Sequence, residues 1–183
     1  MPPNFIYKTL DIPNIHTIST QLRLHCLVQQ SLYTHAFNLM DLALLLDHCP
    51  AVSQWFSAVG LQPSIAALII QPPGSDQRSA HTDTGVSRPA LNFGIANTAA
   101  TWTAFYRVRS GRATRVVMAN GLPWDNYQSA DLEEIARIDL AKPTLVNTKI
   151  PHAVHNPTAA VRISLSFRFG WISCQSLTAL LTV

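Results

Sequence analysis

The chain has 183 residues, of which 48% are hydrophobic and 13% charged, with a formal net charge of +3. This composition excludes a disordered chain, and a domain of this length buries roughly 70% of the surface that its unfolded form exposes. The charge is too small and too scattered to predict nucleic-acid binding. Only residues 107–115, RVRSGRATR, concentrate arginines, as expected either for a solvated hairpin end or for a site that attracts acidic ligands.

We expect a soluble protein of the cytoplasm with reduced thiols. The three cysteines are odd in number and lack CxxC spacing, which argues against a disulfide framework or a thiolate zinc site. Residues 1–16 lack the apolar region of a secretory signal. No apolar run reaches the roughly 18 residues that a membrane-spanning helix needs.

The first third of the chain has a helical hydrophobic pattern. Between residues 31 and 60, apolar side chains recur every three or four positions, which is the period of an α-helix. Pro50 is expected to divide this segment into two helices, the second over residues 52–59 and ended by Gly60.

After Pro63 the pattern changes to short β-rich runs separated by Gly, Pro and Asn. The predicted strands are residues 64–71, 89–96, 101–108, 113–119, 144–154 with a break near Thr148, and 160–169. In this part only residues 131–136 have a helical pattern. Many strands without βαβ alternation predict a mainly β fold, an antiparallel sandwich or barrel flanked by helices. We expect one domain over residues 1–183, with a helical flank at 1–62, a β core at 63–170 and a tail at 171–183.

A combination of four residues points to chemistry. His81 and Asp83 form an HxD motif, His152 follows far downstream, and Arg162 comes ten residues later. Two imidazoles and one carboxylate make the facial triad that holds iron(II) on one side and leaves positions open. The planar fork of an arginine suits a second anion, such as an acid cosubstrate. An isolated HxD would more often be an exposed loop in which the Asp caps a turn.

The segment from His152 to Phe169 is predicted to form a hairpin whose turn lies near Thr158. In such a hairpin His152 lies opposite Ser164 and Val154 opposite Arg162. One face then carries the polar side chains and the other the apolar ones, which favours a ligand pocket over a solvated surface. His155 falls on the other face, and Asn92 falls on the pocket face of the strand RPALNFGI. The residues on the polar face are His152, Arg162, Ser164, Ser166 and Arg168.

With these motifs, the chain resembles the iron(II)- and 2-oxoglutarate-dependent oxygenase superfamily, whose pattern is HxD, a distal His and an Arg about ten residues later, often as RxS. The segments HTDTGVSRPALNFGIANT and LVNTKIPHAVHNPTAAVRISLSFRF look like bacterial and phage members near the prolyl and aspartyl hydroxylases. The resemblance covers about residues 65–170. The matching positions are His81, Asp83, His152, Arg162 and Ser164.

The resemblance implies a double-stranded β-helix, a cupin-like jelly roll, with iron(II) bound by His81, Asp83 and His152. It also implies that 2-oxoglutarate chelates the metal while Arg162 and Ser164 hold its distal carboxylate. The expected reaction is hydroxylation of a C–H bond with O2, releasing succinate and CO2. Because Asp83 is present, no ligand position is vacant for a halide, which favours hydroxylation over halogenation. Asn92 is a further candidate for hydrogen bonding the cosubstrate, although a buried Asn satisfied by backbone is an equal alternative.

Three residues are candidate substrate contacts: Arg88, Trp102 and Trp124. Each also has an ordinary structural explanation, an ion pair for the arginine and core or loop packing for the tryptophans. The substrate class stays open among free amino acids, peptide side chains, nucleobases and small metabolites, as does the oligomeric state. Two alternative functions are a cupin-like metal enzyme that does not use 2-oxoglutarate, and a non-catalytic jelly-roll binding module.

Overall fold

The computed structural model describes residues 5–32, 35–76, 80–83, 89–117, 123–170 and 172–181. Within these ranges the helices are α1 (Ile15–Gln29), α2 (Leu42–His48), α3 (Pro50–Ala58) and α4 (Cys174–Leu180). The strands are β1 (Tyr7–Thr9), β2 (Phe37–Met40), β3 (Ile65–Gln71), β4 (Ser75–Asp76), β5 (Ala80–Asp83), β6 (Pro89–Ala96), β7 (Trp102–Val108), β8 (Thr114–Val117), β9 (Pro123–Tyr127), β10 (Leu132–Ile138), β11 (Thr144–Asn147), β12 (His152–Asn156) and β13 (Arg162–Arg168).

The strands form two antiparallel sheets. The first sheet has the order β1-β11-β6-β13-β3-β2, and the second has the order β10-β7-β12-β5-β9-β8 with β4 paired to β12. Successive strands cross between the sheets, because β5, β7 and β12 lie in the second sheet while β6, β11 and β13 lie in the first. The fold is therefore mainly β, a double-stranded β-helix of the jelly-roll type with N-terminal helices, as predicted.

The main apolar core lies between the helices and the outer face of the first sheet. Along β13, Ile163, Leu165 and Phe167 face this core because side chains alternate between the two faces of a strand. The ring of Phe56 from α3 meets that of Phe167 edge-on, with centroids 5.0 Å apart. The helices contribute Ile18, Leu22, Cys26, Leu45, Val52 and Trp55. The opposite face of the first sheet is left to face the second sheet.

Local chemistry explains where the helices begin. The side chain of Asp41 accepts a hydrogen bond from the backbone N–H of Leu44 at 3.0 Å and so caps α2. Pro50 occupies the first turn of α3, where its missing N–H is not needed. The predicted break at Pro50 is confirmed. None of the helices in the described ranges is long and apolar enough to cross a bilayer.

Two helical predictions were wrong, and two helices were missed. Within the expected helix of residues 31–60, Phe37–Met40 is an edge strand beside β3, and residues 131–136 lie mostly in β10, which pairs with β7. Both segments are short, and pairing with a neighbouring strand overrode their local helical pattern. One missed helix is α1, which buries Ile18, Leu22 and Cys26 at four-residue spacing.

The expected N-terminal helical flank and C-terminal tail also contain elements that the sequence did not predict. Residues 1–62 contribute β1 and β2 to the first sheet as well as helices, so this segment is more than a helical flank. In the expected C-terminal tail, α4 forms and Leu177 packs into the main core. The break near Thr148 is confirmed, since β11 ends at Asn147 and β12 begins at His152.

Replacing Leu165 tests the core between helices and sheet. Its side chain is fully buried, so Leu165→Ala is expected to lower the free energy of unfolding by about 2–5 kcal/mol. The matched control is Val161, which directly precedes the same strand and is 39% exposed. Val161→Ala should change the free energy of unfolding by less than about 0.5 kcal/mol. Urea unfolding measures both. Equal losses in the two variants would contradict this placement of the core.

Candidate metal centre

The structure brings His81, Asp83 and His152 together on neighbouring strands. His81 and Asp83 lie two residues apart on β5 and therefore share a face, and His152 of β12 is the direct cross-strand partner of His81. One ligand atom from each residue lies within 4.8 Å of the other two. The centroids of the two imidazole rings are 4.6 Å apart. These are the three residues that the sequence analysis proposed as ligands.

Both imidazoles are kept in the neutral form that binds metals. Burial, helped by the nearby His152, lowers the pKa of His81 to about 3. Burial likewise lowers the pKa of His152. The Nδ1 of His152 lies 2.9 Å from the carbonyl oxygen of Ile150. A carbonyl oxygen only accepts, so Nδ1 carries the hydrogen and donates a hydrogen bond to this oxygen. The Nε2 of His152 is consequently left with its lone pair, in the arrangement that orients histidine ligands in metal sites.

Asp83 is held by an arginine from the opposite sheet. Burial alone would raise the pKa of Asp83, but the positive charge of Arg168 and the hydrogen bond that it donates help to hold this pKa below its usual range. Arg168 donates from Nη1 to Oδ2 of Asp83 at 2.6 Å. The other oxygen, Oδ1, lies 3.8 Å from Nε2 of His81. Asp83 is therefore ionised, with one oxygen fixed by Arg168 and the other directed at the imidazoles.

These side chains fit a divalent ion. In a facial arrangement, bonds of about 2.0–2.2 Å to one ion place the ligand atoms roughly 3 Å apart, so side-chain rotations would have to bring together the three ligand atoms, which lie within 4.8 Å of one another. The Nδ1 of His81 is buried and has no hydrogen-bond partner among the described residues, so no such bond holds that ring in place. Two neutral imidazoles and one carboxylate form the donor set of non-haem iron(II) sites.

Arg162 is buried between the sheets with no counter-ion among the described residues. Its side chain donates from Nε to the hydroxyl of Thr101 at 3.1 Å and from Nη1 to the hydroxyl of Ser164 at 3.2 Å. The residue is only 2% exposed, and burial lowers its pKa to about 10, so the guanidinium stays charged at neutral pH. Burying an unpaired charge is costly, and an anionic ligand would remove that penalty.

Further polar groups line the space between the sheets. Asn92 of β6 and Ser166 of β13 are direct cross-strand partners. Oδ1 of Asn92 and Oγ of Ser166 are both buried without a hydrogen-bond partner in the described part of the chain. They lie between Arg162 and Arg168 along the strands, so a ligand that reaches from one arginine toward the other would pass them.

The predicted hairpin between β12 and β13 was wrong, because the two strands lie in different sheets. The chain passes from one sheet to the other at Pro157, so His152 is not paired with Ser164. The predicted faces still hold: Ile163 and Leu165 pack into the helical core, while Arg168 reaches Asp83 across the space between the sheets. The polar face of β13 therefore meets His152 across the sandwich rather than beside it.

Of the three candidate substrate contacts, Trp124 lies next to the candidate metal centre. It belongs to β9, and its ring centroid is 4.4 Å from that of His81. Its indole nitrogen is buried without a partner among the described residues, as is Oδ1 of Asn126, the cross-strand partner of His81. Sequence reasoning missed Asn126, and its position two residues after Trp124, on the same face of an extended strand, was the available signal.

Trp102 lies elsewhere, and Arg88 is outside the described residues. Trp102 is three residues from the inward-facing Phe105 and therefore points to the outer face of the second sheet. There its ring stacks on His155 with centroids 5.3 Å apart, and the guanidinium of Arg137 lies 5.1 Å from its ring centre. The expectation that Trp102 lines the cavity does not agree with this position.

The arginine cluster of residues 107–115 forms exposed ion pairs. Arg107 and Arg109 lie 3.9 and 3.4 Å from the carboxylate of Glu133, and Arg115 lies 2.6 Å from that of Asp125. Such exposed pairs contribute little to stability. These contacts support the interpretation as a solvated segment, but the predicted hairpin was wrong, because β7 lies between β10 and β12 whereas β8 pairs with β9.

No family profile and no curated protein sequence matches this chain. Among solved structures, the fold is similar to the apo form of the non-heme monooxygenase ThoJ, with a TM-score of 0.55 and 13% identity over 90% of this chain and 73% of that one. A prolyl-4-hydroxylase from Pseudomonas putida aligns with a TM-score of 0.44 and 14% identity over 91% and 92% of the two chains. AviO1 from Streptomyces viridochromogenes Tue57 gives 0.45 and 12% over 88% and 86%. The similarity to ThoJ shows a shared fold.

The buried histidines predict how stability depends on pH. In metal-free protein the unfolded chain binds protons at His81 and His152 near pH 6.5, whereas the folded imidazoles bind them only at lower pH. The free energy of unfolding should therefore fall below about pH 6.5, by at most about 1.4 kcal/mol per pH unit for each histidine. Urea unfolding with a chelator, at pH values from 7 downward, measures this slope. His152→Gln should reduce the slope and the exposed His16→Gln should not; an unchanged slope in His152→Gln would contradict the prediction.

Removing Arg168 tests its hold on Asp83. Arg168→Ala should weaken binding of a divalent metal by about 10–100-fold, because partners that orient a ligand typically contribute this much to affinity. Anaerobic calorimetric titration with iron(II) or manganese(II) gives the dissociation constant. Arg137, an exposed arginine paired with Glu134, provides the control variant Arg137→Ala. Equal affinities in Arg168→Ala and Arg137→Ala would show that Arg168 does not position the carboxylate.

Proposed function

We propose that this protein is an iron(II)- and 2-oxoglutarate-dependent dioxygenase that hydroxylates a C–H bond. One observation carries the proposal: the charged side chain of Arg162 is buried without an acidic partner among the described residues, on the strand whose other end, Arg168, holds Asp83. A metal site alone does not explain a second buried cation. A cosubstrate with a carboxylate at its far end does.

The residues of the centre have distinct tasks in this proposal. His81, Asp83 and His152 would hold iron(II), and Arg168 keeps Asp83 ionised and directed at the metal position. When bound, iron(II) and 2-oxoglutarate would supply the oxidising chemistry, in which one O2 converts 2-oxoglutarate to succinate and CO2 and adds a hydroxyl group to the substrate. The protein side chains would do little proton transfer.

Arg162 would receive the distal carboxylate of 2-oxoglutarate. Its Nε is engaged by Thr101 and its Nη1 by Ser164, so the plane of the guanidinium is fixed before the ligand arrives. A fixed fork loses less conformational entropy on binding than a mobile one. The hydroxyl of Ser164 can also donate to the carboxylate, and Oγ of Ser166 and the amide of Asn92 are available beside its path.

Trp124 and Asn126 would border the substrate. The indole ring of Trp124 packs on His81, which excludes water from that side of the metal position. Its N–H needs an acceptor and Oδ1 of Asn126 needs a donor. A small molecule, or an amino-acid or peptide side chain, that carries both kinds of group fits this border.

A cupin-like metal enzyme without 2-oxoglutarate is the alternative that the metal triad alone would allow. In such an enzyme no ligand would pair with a cation buried beyond the metal. The buried charge of Arg162 therefore favours an enzyme that uses 2-oxoglutarate. The fold that this chain shares with ThoJ, a non-heme monooxygenase, supports the oxygenase class. The intact triad disfavours a non-catalytic binding module.

Anaerobic titration tests the proposal directly. Iron(II) together with 2-oxoglutarate should give a weak visible charge-transfer band that neither component gives with the protein alone. Arg162→Ala should raise the 2-oxoglutarate concentration that gives half of the maximal band intensity by about 30-fold or more. The reason is that losing one partner of a buried charge pair costs about 2–5 kcal/mol of binding free energy. Arg162→Lys should recover part of the affinity.

The exposed Arg109, which directly follows β7, is the matched control, and Arg109→Ala should bind 2-oxoglutarate as the unchanged protein does. Absence of the band in protein that binds iron(II) would refute the use of 2-oxoglutarate and favour the cupin-like alternative. Equal half-maximal concentrations in Arg162→Ala and Arg109→Ala would refute the assigned role of Arg162.

A further inference from the structure

Two histidines on the helical layer face each other away from the centre between the sheets. His25 lies in α1 and His48 is the last residue of α2. Their Nδ1 atoms are 3.3 Å apart, and their ring centroids are 5.3 Å apart with an interplanar angle of 64°. His48 is exposed and His25 is half-buried, so solvent reaches the pair.

This separation is poor for a hydrogen bond and suitable for a shared ion. Hydrogen bonds donated by N–H groups are usually about 2.9–3.0 Å long, so the contact at 3.3 Å is a weak one. Two imidazole nitrogens bound to one tetrahedral ion at about 2.0–2.1 Å lie roughly 3.3–3.4 Å apart, with ring centroids roughly 5.2 Å apart. Both measured distances therefore agree with chelation through the two Nδ1 atoms.

We propose that His25 and His48 form a second metal site, which binds a divalent transition ion such as zinc(II), nickel(II) or copper(II). Imidazole nitrogen is a preferred ligand for these ions, whereas magnesium and calcium prefer oxygen. Water completes the coordination on the exposed side. The ion would join α1 to the end of α2, both of which pack on the outer face of the first sheet.

The neighbouring thiols do not take part. Cys26 and Cys49 follow the two histidines in sequence, but both are free and buried in the main core. Burial, with the nearby Cys49, raises the pKa of Cys26 to about 12, and burial raises that of Cys49 to about 11. Metals bind the thiolate, which burial in the main core disfavours for both residues. The pKa of His25, in contrast, is lowered by burial and by His48, which leaves its imidazole neutral.

Calorimetric titration of metal-free protein with zinc(II) counts the sites. The unchanged protein should bind two ions per chain, one between the sheets and one at the histidine pair. His25→Gln and His48→Gln should each bind one fewer. His16→Gln is the matched control, because His16 is an exposed histidine of the same helix, and it should leave the count unchanged.

Nitrogen chemical shifts of 15N-labelled histidine identify the ligand atoms during the same titration. The Nδ1 signals of His25 and His48 should move together to a metal-bound position, and those of His16 should not. Unchanged signals at zinc saturation, or an unchanged ion count in both glutamine variants, would overturn the proposal. Because His48 is exposed, His48→Gln keeps the test valid if His25→Gln fails to fold.

The count also separates this site from the one between the sheets. If the proposed function fails because the inter-sheet centre binds no metal, the unchanged protein should still bind one ion, and each glutamine variant should bind none. A further readout is the unfolding temperature. It should rise with zinc concentration more in the unchanged protein than in His48→Gln, since a ligand that binds only the folded state stabilises it by mass action.

Discussion

Two arginines are buried between the sheets on the same strand, and the need to accommodate their charges shapes the interior. Arg168 is paired with Asp83 across the sandwich at 2.6 Å, while Arg162 is met by the hydroxyls of Thr101 and Ser164 alone among the described residues. Removing a guanidinium from water costs several kcal/mol, which a carboxylate offsets and two hydroxyls offset only in part. Arg168 therefore fixes the carboxylate of Asp83, a candidate metal ligand, and the charge of Arg162 is left without a carboxylate among the described residues.

Because the space between the sheets is partly polar, much of the stabilising apolar contact lies on the other side of the first sheet, against the helices. Phe167 and Leu165 of β13 pack on the helices, whereas Ser166 and Ser164 of the same strand face the second sheet. A smaller apolar cluster of Ala90, Phe105 and Val146 occupies part of the space between the sheets. The N-terminal helices thus have a structural reason to be present, because they cover the face on which the fold depends while the inner face is left for ligands.

The sequence predicted that His81, Asp83 and His152 lie together, which the structure confirms, but it predicted the path of the chain less well. Period-two alternation in RISLSFR and PALNFGI identified the faces of β13 and β6 correctly, because one face carries large apolar side chains and the other carries polar or small residues. The predicted hairpin between the strands of His152 and Arg162 was wrong, because alternation along a strand does not indicate which sheet the strand joins. Residues 131–136 and β2 were misassigned because both are short edge strands, whose pairing depends on β7 and β3, which are distant in sequence. Asn126 and the contact of Arg168 with Asp83 required the register between strands, which a single sequence does not contain.

A crystal grown without oxygen and soaked with manganese(II) and 2-oxoglutarate would test the central claim most directly. We predict an anomalous peak between His152 Nε2, one imidazole nitrogen of His81 and Oδ1 of Asp83, and 2-oxoglutarate density that ends on the guanidinium of Arg162. A metal bound by other residues, or an anion at Arg162 that does not extend to the metal, would contradict the account.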